Sequence, residues 1–172
     1  MSVTLVLGGA RSGKSRFAES LSHGTLHYVA TAQAFDAEMR ARILDHQQRR
    51  GANWATHEEP LALAPLLARL NHSGHFILVD CLTLWLSNLM MAQKPWQVEC
   101  ELLLSVLSKS NADIALVSNE VGFGLVPETA LGRAFRDAQG LLNQQVASVA
   151  NKVVLVVAGL PLALKGQLPT PR

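Results

Sequence analysis

Residues 8–15 read Gly8-Gly9-Ala10-Arg11-Ser12-Gly13-Lys14-Ser15, directly after the run Val3-Thr4-Leu5-Val6-Leu7 and directly before Arg16-Phe17-Ala18-Glu19. This is G-x-x-x-x-G-K-[ST] in full, with a strand pattern before it and a helix pattern after it. Each part of the spacing has a physical use. Glycines let successive backbone N–H groups turn inward around phosphate oxygens. Lys14 supplies a point charge for the β- and γ-phosphates, and Ser15 a hydroxyl ligand for Mg²⁺. The helix that follows turns its positive dipole end toward the anion. A chance glycine-rich turn has no reason to carry strand, loop and helix in this order. The stretch predicts a nucleoside triphosphate site at the end of a buried first strand.

Working outward, four more short apolar runs read as strands: Leu26–Ala30, Phe76–Asp80, Ile114–Ser118 and Val153–Val157. Between them lie helix patterns over Ser15–Leu21, Asp36–Arg50, Pro60–Leu70, Leu82–Met91, Val98–Ser108 and Leu131–Ala150. Uniformly apolar strands alternating with helices predict an α/β domain, a mostly parallel sheet with helices on both faces. At 172 residues the chain fits one domain, 1–172, without a repeat or linker. The segment from Gly166 onward, with two prolines after it, reads as a loose tail.

Composition excludes several classes. Hydrophobic residues make up 49% and charged residues 16%, so the chain is not disordered, and a net charge of +2 does not argue for nucleic acid. Cys81 and Cys100 are too few and too isolated for a disulfide framework or a zinc site, and read as reduced core residues. The longest apolar run, Val153 to Leu164, is interrupted by Gly159 and Pro161 and is too short to span a bilayer. With no charged n-region or cleavage site at the N-terminus, the reading is a soluble cytoplasmic protein without a membrane span.

In parallel sheets ligands sit at the carboxyl ends of the strands. That gives weight to Gly8–Ser15, Thr31, Asp80 and Asn119-Glu120. Asp80 closes an otherwise apolar strand and suits a Mg²⁺ carboxylate, or simply a solvated strand end. A GTPase should add an [NT]-K-x-D motif, and no K-x-D occurs; Asp137-Ala-Gln-Gly140 spells D-x-x-G but falls inside a helix pattern.

The segment Ala41–Gly51, ARILDHQQRRG, is harder to explain by packing. On a helix, Arg42, Ile43, Arg49 and Arg50 lie at i−4, i−3, i+3 and i+4 from His46, the positions that share its face. Neighbouring guanidinium groups disfavour an imidazolium, so His46 should be neutral and able to attack phosphorus, with the arginines holding phosphate oxygens. The plain alternative is a solvent-facing helix with a stray histidine. Farther on stand Trp54-Ala-Thr-His-Glu58 and the segment Ser118–Glu128, SNEVGFGLVPE; the second follows a strand end and combines an amide, an acid and two glycines, a composition for binding rather than packing, with a helix or turn cap as the alternative for Glu120. Arg133 and Arg136, at i and i+3, read as solvated, with phosphate contacts as the alternative, and His23, His27, His57, His72 and His75, which lack ligand spacing, read as structural. Leu82–Met91 reads as core, with a subunit or ligand contact as the alternative.

Taken together, GGARSGKSRFAE, YVATAQ, DAEMRARILDHQQRR, WATHEE, VDCLTLWLSN, SNEVGFGLVPE and GRAFRDAQGLLNQ resemble the bifunctional adenosylcobinamide kinase / adenosylcobinamide-phosphate guanylyltransferase family of cobalamin synthesis. The segments run in order from residue 8 to about 165. The resemblance implies a recombinase-like variant of the P-loop NTPase fold and a homo-oligomer, a trimer. It implies phosphorylation of adenosylcobinamide by ATP or GTP, then GMP transfer from GTP to adenosylcobinamide phosphate through a covalent adduct on His46. Nucleotide contacts are implied for Gly8, Gly9, Ala10, Arg11, Ser12, Gly13, Lys14 and Ser15; for Ala30, Thr31 and Ala32; for Gln47, Gln48, Arg49 and Arg50; and for Glu58 and Asp80. Ser15 and Asp80 are the implied Mg²⁺ ligands. Two other readings stay open from the residues alone: a P-loop small-molecule kinase without the adduct, and a GTP-binding regulatory module.

Overall fold

The computed structural model describes residues 1–32 and 53–170. The expected helix Asp36–Arg50, with His46 on it, lies outside the described residues. Within them the strands are β1 (Val3–Gly8), β2 (Thr25–Ala30), β3 (Trp54–Glu58), β4 (His75–Asp80), β5 (Asp113–Asn119), β6 (Lys152–Val157) and β7 (Leu160–Lys165). The helices are α1 (Lys14–Glu19), α2 (Leu63–Leu70), α3 (Leu82–Met91), α4 (Trp96–Ser108) and α5 (Ala130–Val149). The strands form one sheet in the order β3-β2-β4-β5-β1-β6-β7. All neighbours pair in parallel except β6 and β7.

Strand alternation sorts the core into two layers. Leu5, Leu7, Val29, Ile77, Val79, Ile114 and Leu116 face α2, α3, α4 and α5. Val6, Tyr28, Phe76, Leu78, Ala115, Val117 and Val154 face the other way, onto Phe17, Ala18 and Leu21 of α1 and the turn after it. Both faces are therefore covered, which is why the central strands are apolar on both faces along most of their length. Leu82–Met91 is core as expected: Leu82, Trp85, Leu86 and Leu89 are buried. The Trp85 indole N–H donates to Leu61 O at 2.9 Å, so even its polar edge is satisfied. Cys81 and Cys100 are free and buried, and burial pushes each thiol up to about 11.

Two strands stand beyond the five expected, and one expectation is corrected. β3 is a strand although Trp54–Glu58 shows no clean alternation, because as an edge strand it pairs only with β2 and stays partly exposed on both faces. The expected strand Val153–Val157 is β6, and a further strand, β7, follows it within the same apolar run. Ala158 (φ 52°) and Gly159 (φ 79°) form a two-residue turn with positive φ at both central positions, as a type I′ hairpin requires. Ala in place of the usual Asn or Asp hides that turn in the sequence. The tail is not wholly loose, since Pro169 is buried. Helix boundaries shift by up to three residues. For α2, Glu59 accepts from the backbone N–H of Leu61 and Ala62 at 3.1 and 2.7 Å, so the turn there precedes the helix. For α5, the Thr129 hydroxyl caps the start by accepting from Gly132 N at 3.1 Å.

Of the five histidines read as structural, His23 bonds Asp113 (Nε2 to Oδ2, 2.7 Å) and the other four find one another. His27 on β2 lies between His57 of β3 (Nδ1 to Nε2, 3.1 Å) and His75 of β4 (Nε2 to Nδ1, 3.0 Å), with the His72 ring edge-on to His75. A neutral imidazole has one donor and one acceptor, so two hydrogen bonds run through three neutral rings in one direction. A second added proton would set N–H against N–H. Burial lowers the pKa of His27 below its ordinary 6.5, helped by His75, His57 and His72; burial and Arg69 lower that of His57. Depressed folded values mean the unfolded chain binds more protons, so this contribution is complete above about pH 6.5 and is lost as pH falls through the folded pKa. Urea melts between pH 7.5 and 5.5 should show stability falling below pH 6.5, less steeply in His27→Gln. Superimposable pH profiles would show that the row does not titrate with unfolding. No group of three or more His, Cys, Asp or Glu among the described residues is arranged to hold a metal ion.

Candidate functional site

The phosphate loop leaves β1 at Gly8 and enters α1 after Gly13. Arg11 (φ 55°) and Gly13 (φ 96°) take left-handed backbone, which curls the chain around its own amides. A Cβ on Gly8 would lie 2.7 Å from the Val156 carbonyl and overlap Ser12 Oγ. A Cβ on Gly13 would lie 3.2 Å from Gly159 Cα. Gly159 N donates to Ser12 O at 2.8 Å, so the β6–β7 turn buttresses the loop from the side. Nothing in the motif points to that contact. Among the described residues Ser12 Oγ is buried without a hydrogen-bond partner, and Lys14 Nζ donates to Gly9 O at 3.1 Å from an exposed position.

The other expected residues gather at the same edge of the sheet. Ala30, at the end of β2, pairs with Glu58 on one side and Asp80 on the other. Thr31 is fully buried; its hydroxyl donates to Cys81 O at 2.7 Å and accepts from Cys81 N at 2.8 Å, clamping β2 to the chain after Asp80. Asn88 of α3 adds an Nδ2 bond to Thr31 O at 2.7 Å. Burial is the largest cause of the raised Cys81 pKa, while Asp80 raises it further and Lys14 lowers it. The loop cation and the strand-end carboxylate are thus both within electrostatic reach of one side chain. β5 lies between β1 and β4, so Asp80 stands two strand spacings, roughly 10 Å, from the β1 axis. A hydroxyl at Ser15 and a carboxylate at Asp80 are hard oxygen donors, the set that suits Mg²⁺ shared with phosphates. His46, Gln47, Gln48, Arg49 and Arg50 fall outside the described residues.

The end of β5 is tied to the same place. Gly8 pairs with Asn119, and Glu120 N donates to Gly8 O at 3.1 Å. Asn119 N donates to Thr83 Oγ1 at 2.8 Å, linking β5 to the first turn of α3. Beneath them Ser118, Gln139 and Asn143 form a buried amide–hydroxyl network, with Ser118 Oγ to Asn143 Oδ1 at 2.6 Å and Gln139 Nε2 to Ser118 Oγ at 3.0 Å. Sequence reasoning did not single out Thr83, Gln139 or Asn143. Polar residues at helical spacing on α5 were the available signal, but their partners lie on other elements. Arg133, exposed, and Arg136, half-buried, were expected to be solvated and are instead engaged: Arg133 Nη1 donates to Pro127 O and Glu128 O at 3.1 and 2.7 Å, and Arg136 Nη2 to Gly122 O at 3.0 Å.

Known proteins place this arrangement. A family model described as cobinamide kinase / cobinamide phosphate guanyltransferase matches residues 4–164. The bifunctional adenosylcobalamin biosynthesis protein CobP of Pseudomonas aeruginosa is 49% identical over 168 residues, covering 95% of this chain and 97% of that protein. The Escherichia coli protein of the same description, CobU, is 38% identical, covering 94% and 98%. Among solved structures, the flagellar accessory protein FlaH of Methanocaldococcus jannaschii superposes with a TM-score of 0.52 at 10% identity, covering 99% of this chain and 81% of that one. That last likeness is one of fold alone, and it fits the P-loop NTPase architecture. With its phosphate loop, strand-end carboxylate and near-complete overlap with two curated relatives, this chain belongs to the cobinamide kinase / cobinamide phosphate guanyltransferase family.

Proposed function

We propose that this chain is a bifunctional transferase that phosphorylates adenosylcobinamide and then transfers GMP to the resulting phosphate. The observation that carries the reading is the family match over residues 4–164, with the intact phosphate loop inside it. In the first reaction the aminopropanol hydroxyl oxygen attacks the γ-phosphorus of ATP or GTP. A P–O bond forms, the β–γ bridge breaks, the hydroxyl proton is released and a nucleoside diphosphate leaves. Lys14 and the loop amides hold the β- and γ-oxygens where charge accumulates. Mg²⁺, held by Ser15 and Asp80, would supply charge neutralisation to the phosphates.

In the second reaction a ring nitrogen of His46 attacks the α-phosphorus of GTP. A P–N bond forms and pyrophosphate leaves. The acceptor phosphate then attacks the same phosphorus, breaking the P–N bond and giving adenosylcobinamide-GDP. Covalent catalysis divides a displacement between two anions into two easier ones, the first by a neutral nucleophile. Arg49 and Arg50, beside His46 in sequence, have the chemistry to neutralise the α-phosphate, and Ala30–Ala32, Gln47, Gln48 and Glu58 complete the nucleotide contacts. One domain assembled as a homo-oligomer, a trimer, completes the reading.

The test is to incubate the protein with Mg²⁺ and GTP labelled at either the α- or the γ-phosphate and run denaturing gels, with His46→Ala alongside. Acid-labile, base-stable label from the α-position only, absent in His46→Ala, is the expected result. Phosphorylation of cobinamide without any α-label would leave a simple kinase. GTP binding without turnover would leave a regulatory module.

A further inference from the structure

We infer that Thr31 is a positioning residue for Asp80 and does not itself hold the nucleotide, an inference that rests on the transferase reading above, in which Asp80 serves the metal on the triphosphate. Resemblance implied a nucleotide contact at Thr31, but the fold has already used every polar group it has. The side chain is fully buried. Thr31 N donates to Asp80 O at 3.3 Å, and Thr31 O accepts from Asn88 Nδ2 at 2.7 Å. The hydroxyl donates to Cys81 O at 2.7 Å and accepts from Cys81 N at 2.8 Å. The share of Thr31 in the Ala30–Ala32 contacts is therefore indirect.

Asp80 O and Cys81 N belong to one peptide unit, and Thr31 binds both ends of it. Holding that plane fixes the backbone on the far side of the Asp80 Cα. The near side is fixed by β4, where Asp80 pairs with Ala30 in one direction and Val117 in the other. Only the side-chain torsions of Asp80 are left to vary. Strand alternation puts Asp80 with Phe76 and Leu78, on the face covered by α1, the helix that the phosphate loop enters. Thr31 follows Val29, on the opposite face, and so holds Asp80 from behind. The clamp is anchored in turn. Asn88 Nδ2 also donates to Pro60 O at 3.1 Å, and Glu59 N donates to Ala30 O at 2.9 Å. The ends of β2, β3 and β4 and the helix α3 thus meet at one residue, in a dry place where water does not compete for the bonds. A hydroxyl suits the task because it gives and takes a hydrogen bond at once. Valine has the same shape and can do neither.

The experiment compares the native full chain with Thr31→Ser, Thr31→Val, Thr31→Ala, Asp80→Asn and Thr31→Val/Asp80→Asn. The probe is α,β-methylene GTP, which cannot transfer GMP. Its Kd is measured in excess Mg²⁺ and in EDTA, and the ratio gives the tightening due to the metal. Urea melts show which variants are folded. Thr31→Ser should keep the native ratio. Asp80→Asn should lower it, and Thr31→Val and Thr31→Ala should lower it about tenfold, the usual scale for a group that orients a metal ligand. The Kd in EDTA should stay within twofold of native. The double variant should lose no more than Asp80→Asn alone, because one residue acts through the other. Thr31→Ala leaves room for a water to bond the Cys81 peptide groups, and it carries the test if Thr31→Val does not fold. A folded Thr31 variant with the native ratio would overturn the inference, as would additive losses in the double variant. Equal weakening in Mg²⁺ and in EDTA would overturn it too, because Thr31 would then be a nucleotide contact. These measurements need no turnover. A native protein that neither phosphorylates cobinamide nor takes up α-label would sink the transferase reading and leave the Mg²⁺ ratios to decide the clamp separately.

Discussion

Lys14→Ala is expected to lower kcat/KM for both transfers by on the order of 10²–10³-fold, the usual cost of removing one donor aimed at developing phosphate or oxyanion charge. Both reactions expel a phosphate-bearing leaving group, a nucleoside diphosphate in one and pyrophosphate in the other. Both therefore need a cation over the same stretch of the triphosphate. The protein should fold normally without it. Lys14 Nζ makes its hydrogen bond to the Gly9 carbonyl at an exposed position, and that carbonyl can turn to water instead. Lys14→Arg should restore little, because a planar fork does not fit a cradle shaped for a compact ammonium. Initial rates with each labelled GTP, beside a thermal melt, make the check. Guanylyl transfer that survives within tenfold while phosphoryl transfer collapses would mean that the two reactions hold GTP differently.

Trp85→Ala is the substitution expected to cost most stability, about 3–5 kcal/mol. The side chain is 1% exposed, at the centre of the layer that joins the sheet to α2, α3 and α4. Its indole N–H is also the donor to Leu61 O, which would be left unpaired in a half-dry place. Against a typical total of 5–15 kcal/mol, such a loss puts the fold near its limit. Trp85→Phe keeps most of the apolar area and loses the hydrogen bond, so about 1–2 kcal/mol is expected. Urea melts of the three proteins measure both steps. A Trp85→Ala loss below 1 kcal/mol would mean that α3 is not packed on the sheet in this way. The effect should reach the site, because Asn88, on the same helix, holds Thr31 O and through it the ends of β2 and β4.

What the sequence determined by itself is local chemistry. The phosphate loop, the five apolar strands and the carboxylate at Asp80 were legible because backbone geometry and burial impose short periods and fixed spacings on neighbouring residues. The family was legible for the same reason, in contiguous segments. Only the tertiary structure decided what depends on residues far apart in the chain. The histidine row joins β2, β3 and β4, and the brace on the phosphate loop comes from Gly159. The clamp between Thr31 and Cys81 spans two strands, and the arginines that hold the loop of residues 121–129 bond to backbone carbonyls, which no side-chain pattern records. β3 escaped notice because an edge strand, with one neighbour instead of two, is under weaker demand to be apolar, and β7 because Ala158, where Asn or Asp is usual, hides the turn that separates it from β6. Sheet pairing brings such residues together at distances of a few ångströms, and a single sequence carries no period or spacing that reports it.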